Sequence, residues 1–370
     1  MKRQSFKYIF FLNLLFIATC AVMTFFSHKS SQNLVPASLT TPIMNRGFEQ
    51  QSFCQGAAAA VILDGNSGAV LYEKNASLRL PMASTTKIMT ALTVINNADV
   101  NAVIEVDKKA AGVEGSSIYL RAGEKISVLD LLYGLMLESG NDAATALAIG
   151  CFGSEKACVD KMNELCHSLG LIDTHFDNVH GLDSDSHYTT AYELARITSE
   201  ALKNPLFKTI TSTKNYTTSS ENPKFFSNHN RLLRSYDGTT GVKTGYTSLS
   251  GRCLVTSACR DDEMYICVTL NDKNDWADHK SMLDFAFDNH SCHEIAKSDS
   301  FCIYIGTERY FPADDIYLTV KGDDSITTDY KITRSKSDVL CEYYTSGTKL
   351  GHFALTKEQK ETPQATLQDS

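Results

Sequence analysis

Ser84 and Lys87 stand three residues apart in the string Ser84-Thr85-Thr86-Lys87. A serine hydroxyl is a weak nucleophile until a base takes its proton. A lysine can be that base only if its ammonium form is made unfavourable, by burial or by a second cation nearby. At the start of a helix a three-residue spacing puts both side chains on one face. By itself the string reads as a capping serine followed by a surface lysine. Two further strings change the weighing: Ser139-Gly140-Asn141 and Lys243-Thr244-Gly245. Together they supply a nucleophile, two candidate proton carriers and an anion-binding strand, which is what acyl transfer through a serine ester requires.

Each candidate has a chemical task. Ser139 can relay a proton to a leaving amine. Asn141 can hold either a substrate amide or the lysine. The ordinary alternative for this string is a helix C-cap at Gly140 followed by an N-cap, and both readings can hold together. Lys243 and Thr244 can bind a terminal carboxylate, and Lys243 can be the second cation beside Lys87. Gly245 lets a substrate approach the backbone closely. An extended peptide can pair along this strand, with the Tyr246 and Ser84 N–H groups forming an oxyanion hole.

The elements that must position these groups follow from periodicity and turn residues. Residues 57–63 and 69–72 read as strands of a hairpin around the turn at 64–68. A helix starts near Ser84, and others cover 128–138, 141–149, 155–169 (stopped by Gly170) and 190–203, with Pro205 just beyond. Strands return at 241–246, 252–259 and 264–270, and 276–287 closes as a helix. An α+β architecture follows, with an antiparallel sheet built from both ends of this region and helices packed against it. From about 291 the texture changes to short β-prone runs at 301–305, 316–320, 328–332 and 339–344, a small all-β domain. The expected division is 1–27 signal peptide or membrane anchor, 28–55 linker, 56–290 catalytic domain, 291–356 β domain and 357–370 disordered tail.

Composition limits the alternatives. The 370 residues are 43% hydrophobic and 21% charged with a net charge of -8, and no basic stripe suggests a nucleic-acid partner. Lys2, Arg3 and Lys7 precede an uncharged run over 8–26, just long enough to span a bilayer core. No clean cleavage site follows it, which favours an uncleaved anchor over a cleaved signal peptide, and Cys20 is a poor lipidation site. All three readings place the remainder outside the cytoplasm. The eleven cysteines are expected to be mostly reduced and buried as small apolar groups, with pairing among Cys151, Cys158 and Cys166 open. There is no C-x-x-C pair, and His167, His175, His180 and His187 lack helical spacing, so neither a metal nor any other cofactor is expected. Trp276 and the group Asp275, Asp278 and His279 read as a helix start and packing.

The segment Arg79-Leu80-Pro81-Met82-Ala83-Ser84-Thr85-Thr86-Lys87-Ile88-Met89-Thr90-Ala91 resembles the nucleophile segment of low-molecular-weight penicillin-binding proteins, the serine-type D-alanyl-D-alanine carboxypeptidases of the peptidase S11 family. Leu137-Glu138-Ser139-Gly140-Asn141-Asp142-Ala143-Ala144 and Gly241-Val242-Lys243-Thr244-Gly245-Tyr246-Thr247 are similar to that family's second and third motifs, and the resemblance covers roughly 56–290. It implies a β-lactamase/transpeptidase-like catalytic domain with Ser84, Lys87, Ser139 and Asn141 catalytic, and Lys243, Thr244, Gly245 and Tyr246 binding substrate. It implies removal of the terminal D-alanine from peptidoglycan stem peptides, and β-lactams as covalent inhibitors. A β-lactamase, an endopeptidase on cross-links and a non-catalytic wall-binding protein are the rival readings. Two departures stand out. Val179 replaces a common proline, and the arginine expected after the third motif has no match around 271–278.

Overall fold

The structure, a computed structural model, describes residues 51–220, 223–322, 326–334 and 338–358. The segment expected as a membrane anchor, most of the linker expected over 28–55, Cys20, and residues 359–370 of the expected tail lie outside the described residues. Among the described residues no helix is long and apolar enough to cross a membrane.

Strand β1 (Ala59–Asp64) is buried at every position. It returns as β2 (Val70–Lys74) through a turn in which Asp64 Oδ1 accepts the N–H groups of Asn66 and Ser67, each at 2.8 Å. A 3-10 turn (Ala83–Thr86) leads into α1 (Lys87–Asn97), and β3 (Val103–Glu105) pairs with β4 (Lys125–Ser127). Helix α2 (Val128–Leu137) is capped by Ser127, whose Oγ accepts the Asp130 N–H at 3.0 Å. Then come α3 (Asn141–Phe152), α4 (Glu155–Ser168) and α5 (Ala191–Leu202), the last capped by Thr190. Helix α6 (Pro205–Ser212) is a departure from expectation. Pro205 is not a stop after α5 but the first position of a new helix, capped by the Asn204 side chain. Strands β5 (Asn215–Thr217) and β6 (Phe225–Ser227) form a ribbon, and α7 (Leu232–Ser235) is a single turn. Strands β7 (Thr239–Thr247), β8 (Gly251–Arg260) and β9 (Glu263–Leu270) precede α8 (Asp275–Asn289).

The main sheet runs β2-β1-β9-β8-β7 and is antiparallel throughout. Its strands do come from both ends of the region, and β7 is an edge. Alternation along β1 divides the core between two faces. Val61 and Leu63 join Val255, Ile266 and Val268 against Ile88, Leu131, Leu147 and Ile197 of the helical layer. Ala60 and Ile62 join Cys267 against Met282 and Leu283 of α8, with Phe53 and Cys54 in the same cluster. The last residues of the expected linker are therefore core residues where they are described, a short apolar pair inside an otherwise polar stretch.

The remaining strands are β10 (His290–Ala296), β11 (Ile303–Ile305), β12 (Glu308–Pro312), β13 (Ile316–Lys321), β14 (Asp329–Arg334), β15 (Val339–Thr345) and β16 (Thr348–Lys357). They form a β10-β13 pair and a sheet of order β11-β12-β16-β15-β14 around Tyr310, Leu318, Cys341, Tyr343 and Phe353. Thr319 Oγ1 donates to Asp64 Oδ2 at 2.9 Å, and the Cys292 N–H donates to Glu263 Oε1 at 2.8 Å, tying this part to β1 and β9. All ten described cysteines are free thiols, Cys151, Cys158 and Cys166 included.

Candidate active site

Ser84 lies in the 3-10 turn rather than in the α-helix. Ala83 has φ of 48°, which a continuing helix cannot use, and Thr85 and Thr86 turn their hydroxyls back onto the carbonyls of Met82 (2.6 Å) and Ala83 (2.8 Å). His187 locks the turn from below. Its Nδ1 accepts the Asp177 N–H at 3.0 Å, so Nε2 carries the proton and donates to Thr86 Oγ1 at 2.7 Å. Burial pushes its pKa down to about 4, so it stays neutral. Two glycines close in on the turn. A Cβ on Gly181, at φ of 92°, would stand 2.0 Å from the Ala83 oxygen, and one on Gly245 would stand 3.1 Å from the Ser84 nitrogen. A side chain at Gly245 would therefore press on the turn that carries Ser84.

Lys87 is the first residue of α1 and is fully buried. Its Nζ has three neighbours: Ser84 Oγ at 2.9 Å, Asn141 Oδ1 at 2.7 Å and the His180 carbonyl oxygen at 2.5 Å. Two of these can only accept, while the serine hydroxyl can also donate. Nζ donates to all three in the structure, and because the serine hydroxyl can reverse its bond, a neutral amine could accept the Ser84 proton while keeping its other two partners. Burial holds the Lys87 pKa well below its ordinary value, and the charge of Lys243 lowers it further against a smaller opposing effect from Asp142.

Asn141 opens α3 and uses both ends of its amide, since Nδ2 donates to the Glu114 carbonyl at 2.5 Å. Of the two tasks open to it, it holds the lysine. Ser139 precedes it in the left-handed region, at φ of 63°. Its Oγ is buried and has no hydrogen-bond partner among the described residues. Asp142 fixes the opposite wall by accepting from Ser117 Oγ at 2.6 Å and from the Ile118 and Leu120 N–H groups at 3.0 Å.

On β7, Lys243 is 2% exposed and donates to the Thr244 carbonyl at 2.9 Å. Burial brings its pKa down to about 7. Thr244 is half-buried, and Tyr246 is turned to solvent. The structure therefore joins Ser84, Lys87 and Asn141 directly and sets Gly245 against Ser84. Ser139 stands with an unpartnered hydroxyl, and Lys243 acts on Lys87 through its charge. Sequence reasoning did not reach the carbonyls of His180 and Glu114, because a backbone acceptor leaves no mark in residue type. Gly181 beside His180 was the available signal.

The profile of the D-alanyl-D-alanine carboxypeptidase family, peptidase S11, matches residues 48–274. The chain belongs to this family. Among S11 relatives, the D-alanyl-D-alanine carboxypeptidase DacF of Bacillus subtilis is 35% identical over 346 residues, covering 87% of this chain and 88% of that one. The D-alanyl-D-alanine carboxypeptidase of Streptomyces sp. (strain K15) is 37% identical over 234 residues, covering 58% and 80%. The crystal structure of the Streptomyces K15 DD-transpeptidase superposes with a TM-score of 0.61 at 33% identity, over 65% of this chain and 99% of that one. Penicillin binding protein 5 of Haemophilus influenzae shares the fold over 85% of this chain and 99% of its own, with a TM-score of 0.73 at 24% identity.

Proposed function

We propose that Ser84 is the nucleophile through which this S11 enzyme, a serine-type D-alanyl-D-alanine carboxypeptidase, removes the terminal D-alanine from peptidoglycan pentapeptide stems. The observation that carries the assignment is the fully buried Lys87 amine, 2.9 Å from Ser84 Oγ. Lys87 takes the serine proton as Oγ attacks the carbonyl between the two D-alanines. The Ser84 and Tyr246 N–H groups face the oxyanion. Lys243 and Thr244 hold the terminal carboxylate, in a site without the arginine expected after the third motif. Ser139 relays that proton from Lys87 to the leaving D-alanine nitrogen, which returns Lys87 to its free-base form. Water, deprotonated by Lys87, then releases the shortened stem from the ester. A β-lactam acylates the same serine, and its leaving nitrogen stays tethered in the site.

We further propose that the N-terminal segment over 8–26 tethers the enzyme to the membrane, with the catalytic part outside the cytoplasm, on the strength of its basic flank and apolar length. The division near residue 290, between a catalytic part and a β part, is proposed from the change of texture there.

Incubating a muramyl pentapeptide with the enzyme and weighing the product tests the assignment. Loss of one alanine residue is expected, with kcat/KM lower by on the order of 10^4-fold or more in Ser84→Ala. D-alanine release retained in that variant would refute the nucleophile.

A further inference from the structure

On the face of the sheet opposite the helical layer, three side chains far apart in sequence converge. Cys54 Sγ, a carboxylate oxygen of Asp272 and one of Asp278 lie within 4.8 Å of one another. Cys54 is fully buried, Asp272 is 1% exposed, and Asp278 is half-buried at the first turn of α8. Met282 Sδ lies 3.3 Å from Cys54 Sγ. Asp272 Oδ1 accepts the Asn274 N–H at 3.1 Å. Its Oδ2 is buried and has no hydrogen-bond partner among the described residues. A buried carboxylate oxygen left without a donor is costly; the second carboxylate beside it adds like charge, and the Cys54 S–H is directed at Met282 Sδ instead. Lys74 is near, but its ammonium donates to the carbonyls of Cys54 (2.8 Å) and Gln55 (2.7 Å).

We propose that Cys54, Asp272 and Asp278 form a binding site for one divalent transition-metal ion of the zinc class. A thiolate with two carboxylates suits such an ion and not calcium or magnesium, which take oxygen donors. Ligands around a tetrahedral zinc ion stand roughly 3.3 to 3.8 Å apart, so the set needs to tighten by about an ångström. Asp278 is half-buried, which gives the ion a path, and a tetrahedral ion held by three side chains would take a water as its fourth ligand. Binding releases the Cys54 thiol proton and any proton shared by the carboxyl pair, so affinity rises with pH.

The ion would tie the chain at residue 54 to the junction of β9 and α8. That junction touches the catalytic sheet, because the Asp272 N–H donates to the Arg252 carbonyl of β8 at 2.9 Å, and β8 lies beside β7. The role is structural and separate from the chemistry at Ser84. It departs from the expectation of no metal, which looked for local spacing that this set does not have.

Titrating the metal-free full chain with cobalt(II), read by absorption, tests the proposal. One cobalt per chain with a thiolate-to-metal charge-transfer band is expected. The band should vanish in Cys54→Ala, and affinity should fall by about tenfold or more in Asp272→Asn and in Asp278→Asn. Zinc should raise the Tm of the unaltered chain and leave that of Cys54→Ala unchanged, with D-alanine release intact in both. The same band in folded Cys54→Ala would assign it to another cysteine and overturn the proposal. A folded chain that takes up no stoichiometric cobalt or zinc would overturn it too.

Discussion

The floor and the wall of the cleft are built on opposite terms. On the floor, every polar atom around Lys87 is engaged: Ser84, Asn141 and the His180 carbonyl surround its Nζ, and Asn141 is held in turn by Glu114. On the wall, Ser139 Oγ has no partner among the described residues, Lys243 donates to one neighbouring carbonyl, and Tyr246 faces solvent. The floor is finished before substrate arrives, while the wall keeps donors that substrate can complete. Preorganisation of this kind puts the cost of ordering into folding and keeps it out of the chemical step.

Substitutions can break that contrast. Asn141→Ala removes one of the two acceptors that orient the Lys87 amine, and should lower kcat/KM on the order of 10^3-fold. It should lower the Tm as well, because the Lys87 amine loses a buried partner. Ser139→Ala should lower kcat by about 10^2-fold, the contribution of a positioned proton carrier. Its Tm should hold or rise, since no hydrogen bond is lost. Thermal melts of the two variants side by side decide the matter: equal losses of Tm would erase the distinction between floor and wall.

The smallest effect is one of pH. In the proposed mechanism Lys87 works as a free base, so activity should fall on the acid side as it gains a proton, at a pH well below the ordinary lysine value. Lys243 works as a cation, so kcat/KM should also fall on the alkaline side, beginning near pH 7 as its proton is lost and steepening to about tenfold per pH unit. Lys243→Gln should flatten the alkaline limb and move the acid limb upward, because burial still lowers the Lys87 pKa but the added effect of the Lys243 charge is gone. A pH profile of kcat/KM with the same two limbs in that variant would detach Lys243 from both roles.

The three strings were readable because catalysis fixes residue type and spacing together, and the main strands and helices were readable because their apolar periods are long. Helix α6 was hidden by reading Pro205 as an end, when Asn204 before it made it a beginning. The 3-10 turn at Ser84 was hidden because two threonine hydroxyls, not a helix-breaking residue, shape it. Strand β12 escaped because it is short and opens on Glu308 and Arg309, and β16 because Gly351 and His352 interrupt its apolar positions. Asp278 was read as a helix start, which its place in α8 bears out, but its neighbours across the fold were beyond any local pattern.

The pair of glycines against the nucleophile turn bears on how this enzyme can change under selection by a β-lactam. A single methyl at Gly181 would run into the backbone that carries Ser84, and one at Gly245 would press on the same turn. Substitutions there alter turnover of the natural stem and acylation by the drug alike, so they offer no escape that spares the cell wall. The outward residues Tyr246 and Leu249, at 68% and 65% exposure, can be replaced without moving the serine. Discrimination between drug and substrate has room to evolve at that rim and almost none beneath it.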